Sequence, residues 1–403
     1  MHNFKERRHR LLATLDDQSA VILFSGSEIK RSADSVYDFS VNRNFYYLTG
    51  IKQEQSIVVL TKSGDEINET IFTLAFDKVR EVWTGRRLTS SEATKISNIK
   101  THADTETFAA FLEALLPKVK TVYIDLELGI TTHINTLTTQ FADEIGENGV
   151  KVKNIYDAIV RLRMVKDAYE VKLIEESIKL TNDALQHAIK TIKPGVYEYE
   201  VAADFEHKIK QAHGELGFST IAASGANGVI LHYPNLDAKL NEGEFILLDL
   251  GGHNNMYTAD ISRTIPITNN ISALHKTIYE IVLACNKAVI KFIKPGKTLL
   301  DLQNYTKTFL KEKLVAAELM SDDEDITNYY YHGVSHHLGL DTHDPSDRNL
   351  PLEPGNVITV EPGLYFAKHN IGVRIEDNIL VTKTGALNLS HEIPKELKDY
   401  LHA

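Results

Sequence analysis

Along this chain, short apolar runs that end in turn residues alternate with longer stretches in which apolar side chains recur every three or four positions. The first kind of segment signals a strand and the second an amphipathic helix. In residues 1–157, strands are predicted at 20–24, where Ala-Val-Ile-Leu-Phe is closed by Ser-Gly-Ser, and at 45–48, 56–61, 70–76, 121–124 and 152–155. Helical patterns occupy 105–116 and 131–144, and the first 14 residues suit a basic helix. This alternation predicts an α/β domain with a partly parallel sheet. From 158 to 403 the helical stretches lengthen to 166–193, 198–213, 272–293 and 298–319, with Val171, Ile174, Ile178 and Leu185 near helical spacing in the first. Strands are predicted at 219–224, 244–250, 257–267, 357–361 and 371–382. The two domains, 1–157 and 158–403, are joined through a helix at 157–165 rather than a tether, because no Gly/Ser-rich stretch intervenes.

The second domain repeats its own pattern. Ile-Lys-Pro-Gly occurs at 192–195 and again at 293–296, each time ending one long helical pattern and preceding another. Asp249 follows Gly243 by six residues, and Glu361 follows Gly355 by six, both across a turn and an apolar strand. A further strand with a further acid comes next in each case, bearing Asp260 in one copy and Glu376 in the other. Such repetition predicts one strand–helix unit used twice, with the acids of both copies converging on a shared site.

With His336, these acids form an ordered set of five candidate metal ligands: Asp249, Asp260, His336, Glu361 and Glu376. Four carboxylates and one imidazole make a hard, oxygen-rich set. It suits a pair of Mn²⁺, Co²⁺ or Zn²⁺ ions better than a structural zinc site, which favours thiolates. Any one of these residues alone is more often a solvated acid at a strand end or a packing histidine. Five in order on a duplicated scaffold carry the metal reading.

Composition narrows the function classes. A length of 403 residues exceeds a usual single core, so two domains are expected. With 55 acids against 44 bases the net charge is −11, which argues against nucleic acid as a partner. The lone cysteine, Cys285, allows no intrachain disulfide and reads as a packing residue. The N-terminal segment lacks the apolar core of a signal peptide, and no stretch is apolar enough to span a membrane, so a cytoplasmic protein without a membrane partner is expected. His253 and His275 lack a distinctive context and read as surface residues.

Several segments together identify a family resemblance. Asn-Phe-Tyr-Tyr-Leu-Thr-Gly (44–50), Glu-Val-Trp-Thr-Gly-Arg-Arg (81–87), His-Gly-Val-Ser-His-His-Leu-Gly-Leu-Asp-Thr-His-Asp (332–344) and Gly-Val-Arg-Ile-Glu-Asp-Asn (372–378) resemble the proline-specific metallopeptidases, the aminopeptidase P group among them. The resemblance covers essentially the whole chain. It implies a creatinase-type α/β N-terminal domain and an α+β catalytic domain of the pita-bread fold, with an internal pseudo-twofold duplication. It implies two divalent ions, Mn²⁺ by preference, with Asp249 and Asp260 on one, His336 and Glu361 on the other, and Asp260 and Glu376 bridging both. His232, His332, His343 and Arg374 match the family's site as well, while His337 falls at a variable position and reads as a non-ligand. The implied substrates are peptides with proline at the second position, and the implied assembly is a homodimer or homotetramer.

Chemistry fills in the roles. Two ions lower the pKa of a water held between them and supply a bridging hydroxide near neutral pH. Glu361 is the candidate to take that water's proton, and His232 and His343 are candidates to hydrogen-bond the carbonyl or the oxyanion. The Xaa-Pro bond has no N–H, so the departing proline nitrogen needs a proton from His343 or Glu361. His332 and Arg374 are expected near the pyrrolidine ring, with Arg374 alternatively orienting the carboxylates. Trp83 reads equally as a core or domain-interface anchor or as a cap on a neighbouring subunit's site, the latter implied by the resemblance. The alternatives are a prolidase with the same metals, a metal-free creatinase-type hydrolase, and a binding module that has lost catalysis. Intact acids at all four positions argue against the last two. Methionine aminopeptidase is disfavoured because that enzyme lacks this N-terminal domain.

Overall fold

The structure, a computed structural model, describes residues 3–127 and 137–401. Residues 131–136 of the expected helix 131–144, and the first two of the basic N-terminal helix, lie outside them. The chain divides into two compact units, Met1–Arg163 and Met164–Ala403.

The first unit is built on a six-stranded sheet. Its spatial order is Thr101–Asp104, Glu66–Thr73, Ile57–Ser63, Ser19–Phe24, Thr121–Ile124 and Lys151–Asn154. The Ile57–Ser63 strand runs antiparallel to both its neighbours, and the other pairs are parallel. Ala20, Ile22, Val59, Phe72, Val122 and Ile124 are buried against Phe24, Phe108, Phe111 and Phe141, whose rings meet edge to face. One expected strand is instead a helix: residues 45–48 lie inside Arg43–Thr49. Asn42 caps it by accepting from the Phe45 N–H, and Gly50 closes it. Every residue from Asn44 to Thr49 is buried, so the run has no polar face and its period is invisible.

The second unit contains the duplication, visible in matching hydrogen bonds. Gly195 N–H donates to Leu240 O while Leu240 N–H donates to Val196 O. In the second copy Gly296 N–H donates to Leu352 O while Leu352 N–H donates to Lys297 O. The two glycines have φ of 88° and 89°, a left-handed turn that admits glycine at least cost. Each turn separates a pair of helices: Ala168–Ala188 and Glu198–Gln211 in the first copy, Ala273–Phe292 and Leu299–Ala316 in the second. Capping boxes fix two of the starts, Asp167 with Glu170 and Thr298 with Asp301. Strand Phe245–Leu250 pairs antiparallel with Ile261–Pro266, and Val357–Val360 pairs antiparallel with Asp377–Val381. The second copy's core packs Ile278, Val282, Leu302 and Leu310 from the helices onto Ile358, Val360, Val373 and Ile379 of the strands. Cys285 is buried in this core, and burial pushes its thiol well up, consistent with a packing role.

Two expected long strands are each broken at an acid. The 257–267 segment splits into Tyr257–Thr258 and Ile261–Pro266, with Asp260 in the gap. The 371–382 segment splits into Ile371–Arg374 and Asp377–Val381, with Glu376 in the gap. The freed backbone is satisfied elsewhere: Asp260 N–H donates to Asn378 Oδ1 at 3.2 Å, and Glu376 N–H to Ser262 O at 3.0 Å. His253 and His275 are partly buried rather than surface residues. His253 lies 3.4 Å from Glu215, and the His275 ring meets Phe245 edge-on. Among the described residues no helix is long and apolar enough to cross a membrane.

Candidate metal centre

The breaks at Asp260 and Glu376 turn their side chains toward the ends of the central strands, where Asp249 and Glu361 already stand. The five sequence-derived donors come together there. Ligand atoms of Asp249, Asp260 and Glu376 lie within 4.8 Å of one another, as do those of His336, Glu361 and Glu376, and those of Asp260, His336 and His343. His336 Nε2 is 3.4 Å from Asp260 Oδ2 and 3.5 Å from Glu361 Oε1. His336 Nδ1 lies 2.9 Å from the His337 carbonyl, so Nδ1 carries a hydrogen and Nε2 is the ring atom that faces the acids. His337 is buried and outside this cluster.

Neighbouring residues hold the donors in place. Arg374 donates to Asp249 Oδ2 at 2.6 Å, to Ser262 Oγ at 2.8 Å and to the Tyr365 hydroxyl at 3.2 Å. Ser262 Oγ donates in turn to Glu376 Oε2 at 2.8 Å. Tyr365 O–H donates to His332 Nε2 at 2.8 Å, and His332 Nδ1–H donates to the Gly333 carbonyl. Buried Arg263 clasps the backbone carbonyls of Ser262 and Glu376 and pairs with Asp377 at 2.9 Å. Glu198, also buried, accepts from Ser224, Asn227 and Ala238, and so pins both ends of the loop that carries His232. Tyr365, Ser262 and Glu198 were not singled out from the sequence. Tyr365 stands four residues after Glu361, but nothing in the spacing shows that its hydroxyl reaches His332.

The electrostatics mark a site short of positive charge. Burial pushes the Asp249 carboxyl up to about 6 against the pull of Arg374, with Asp260 adding to the rise. Burial pushes Glu361 up to about 7 against the pull of His336. Burial, then repulsion from Asp260 and Glu361, pushes Glu376 well above the carboxylate range. Burial draws His336 down, but the Asp260 hydrogen bond and the charge of Glu361 outweigh it and raise the ring to about 9. His332 is held near 3 by burial and then by Arg374, so it is neutral. One oxygen each of Asp249 and Glu376 is buried without a hydrogen-bond partner. Unpaired buried carboxylate oxygens are costly, and a bound cation is one arrangement that satisfies them.

A cleft of about 240 Å³ opens onto the cluster, lined by His232, His332, His343, Arg348 and Arg374 beside the acids. The His343 and His336 rings meet edge-on, centroids 4.3 Å apart. Trp83 does not line this cleft. It sits in the first unit on the short helix Lys78–Thr84 and is 84% exposed, so it is no core anchor of that unit.

The chain as a whole resembles known proteins. Residues 172–383 match the model of metallopeptidase family M24, and residues 4–123 match the aminopeptidase P N-terminal domain. The chain is 32% identical to the Xaa-Pro aminopeptidase of Haemophilus influenzae, over 98% of this chain and 95% of that protein. It is 30% identical to the Xaa-Pro aminopeptidase of Escherichia coli, with the same coverage. Among solved structures, a chain from Bacillus anthracis superposes with TM-score 0.96 at 41% identity, covering 98% of this chain and 96% of that one. A zinc-substituted Escherichia coli aminopeptidase P in complex with product superposes with TM-score 0.89 at 27% identity, with the same coverage of each chain.

Proposed function

The chain belongs to metallopeptidase family M24 and is a metallo-exopeptidase of Xaa-Pro aminopeptidase type, and from that premise we propose a specific assignment of its site. The enzyme removes the first residue from peptides whose second residue is proline, using two divalent ions, Mn²⁺ by preference. Asp249, Asp260, His336, Glu361 and Glu376 would hold the ions. The observation that carries this reading is the pair of buried, unpartnered oxygens on Asp249 and Glu376 within a cluster of four carboxylates. Carboxylate-rich donors fit hard divalent ions. When bound, such ions polarise a carbonyl and make a water acidic enough to act near neutral pH.

The side chains divide the remaining work. Glu361 reaches the centre from the end of Val357–Val360 and serves as the base that accepts the water's proton. It then returns a proton to the proline nitrogen, which as a tertiary amide has none of its own. His232 and His343, exposed in the cleft, donate to the carbonyl oxygen as negative charge grows on it. Arg374 orients Asp249 and, through Tyr365, keeps His332 fixed against the pocket for the proline ring. The prolidase alternative differs in whether chain may continue past the proline. The N-terminal domain match, to aminopeptidase P, favours the aminopeptidase.

A second copy of the chain is the proposed cover for the first unit's exposed apolar face. Phe76, Val79, Val82 and Trp83 all stand in solvent on or beside Lys78–Thr84, a helix with no buried residue. Exposed patches of this kind mark association surfaces. Val82→Asp is expected to shift the protein to smaller species in sedimentation velocity, and an unchanged distribution contradicts this part of the reading.

The assignment is tested with a matched Xaa-Pro dipeptide and Xaa-Pro-Yaa tripeptide, on protein stripped by chelator and resupplied with Mn²⁺. Metal-dependent release of the first residue from the tripeptide is the expected result. Cleavage confined to the dipeptide means a prolidase. Cleavage of neither, with ions bound, overturns the proposal.

A further inference from the structure

Lys166, near the start of the second unit, buries its ammonium against Asp344. Both side chains are 1% exposed, and Nζ stands 2.9 Å from the Asp344 carboxylate. A buried ion pair is weak evidence for stability, because desolvation offsets its attraction. Its geometry is more telling, since both partners are fastened to backbone near the metal centre. Lys166 N–H donates to Gly355 O at 2.9 Å, and Val165 bridges Asn356, at the turn that opens strand Val357–Val360 and leads to Glu361. Asp344 N–H donates to His337 O at 2.9 Å, and Asp344 Oδ1 accepts from Asp341 N–H at 3.2 Å. Leu338 N–H donates to Val357 O, and Thr359 N–H to His336 O.

The pair therefore closes the excursion 336–344 against the beginning of the Glu361 strand. His336 stands at one end of that excursion and His343 at the other, and their rings touch. At its middle, a Cβ on Gly339 would come within 2.7 Å of the Asp344 carboxylate and 2.9 Å of Lys166 Cε, so any side chain there must displace the pair.

We propose that Lys166, acting through Asp344, is a positioning residue that sets where His336 and His343 stand in the cleft. Its effect on turnover rests on the substrate reading proposed above, and its effect on ion binding only on the ion site proposed there.

Three variants test it. Lys166→Met removes the ammonium beside the Asp344 carboxylate, Lys166→Met/Asp344→Leu replaces the pair by apolar packing, and Gly339→Ala pushes the pair apart with both charges kept. Each is measured for thermal midpoint, kcat and KM on Xaa-Pro-Yaa, and Mn²⁺ affinity by calorimetry. The single lysine variant is expected to melt lower, and the double variant to recover most of that loss. In all three, kcat and Mn²⁺ affinity are expected to fall about 10–100-fold with KM little changed. A stable but slow double variant separates positioning from mere stabilisation. Wild-type kcat and Mn²⁺ affinity in the double variant overturn the proposal, as they do in Gly339→Ala if the double variant does not fold. A wild-type enzyme inactive on Xaa-Pro-Yaa would instead sink the function reading, and the Mn²⁺ affinities would still decide the role of Lys166.

Discussion

Asp260 is the residue on which most of the site depends. It sits where a strand breaks, lies within ligand reach of Asp249, Glu376, His336 and His343, and is nearly buried. Asp260→Ala is expected to abolish hydrolysis and lower Mn²⁺ retention after dialysis together. An active variant would contradict its placement on both ions. The four candidate carboxylates were legible in the sequence because each stands in a short context repeated across the two copies, and His336 because its segment, 332–344, is distinctive in itself. The residues that orient them were not. Ser262 touches Glu376 from 114 positions away and Glu198 reaches Ser224 across 26, contacts that no local pattern encodes. Trp83 shows the reverse limit: its context was distinctive, yet spacing could not tell an anchor from a side chain standing in solvent.

Among the elements, the repeated Ile-Lys-Pro-Gly turns were legible because proline and a left-handed glycine end a helix for reasons local to the chain. A Cβ at Gly195 or Gly296 would meet no neighbouring atom, so alanine there would be strained but not crowded. Gly195→Ala and Gly296→Ala are each expected to cost about 1–2 kcal/mol, read by urea unfolding. The two losses should be similar, since the turns share φ and hydrogen bonds. A large loss in one and none in the other would argue against equivalent copies. Helix Arg43–Thr49 was misread as a strand because full burial erased its period. The strand breaks at Asp260 and Glu376 were likewise hidden, because strand-forming residues stand on both sides of each acid: Tyr257 and Thr258 before Asp260 with Ile261 after it, and Val373 and Ile375 before Glu376 with Ile379 after it.

For the molecule as a whole, the buried carboxylates couple ion binding to pH. Asp249 and Glu361, near 6 and 7 when folded, lie above their ordinary carboxylate values. Their protonation therefore stabilises the ion-free fold at low pH, and that contribution is lost as pH rises through 6 to 7. Bound ions require these groups ionised, so protons compete with metal. The rise in melting temperature on adding Mn²⁺ is accordingly expected to be small at pH 5 and larger at pH 8. A rise independent of pH would mean that Asp249 and Glu361 are not ligands.

Two ions held by one cluster are the basis of the proposed reaction. The most direct measurement is a calorimetric titration of chelator-stripped protein with Mn²⁺, run beside Xaa-Pro-Yaa hydrolysis at each addition. Two bound ions per chain, with full activity reached only as binding saturates, is the result expected. Binding of one ion or none, or full activity in protein stripped of metal, would contradict it.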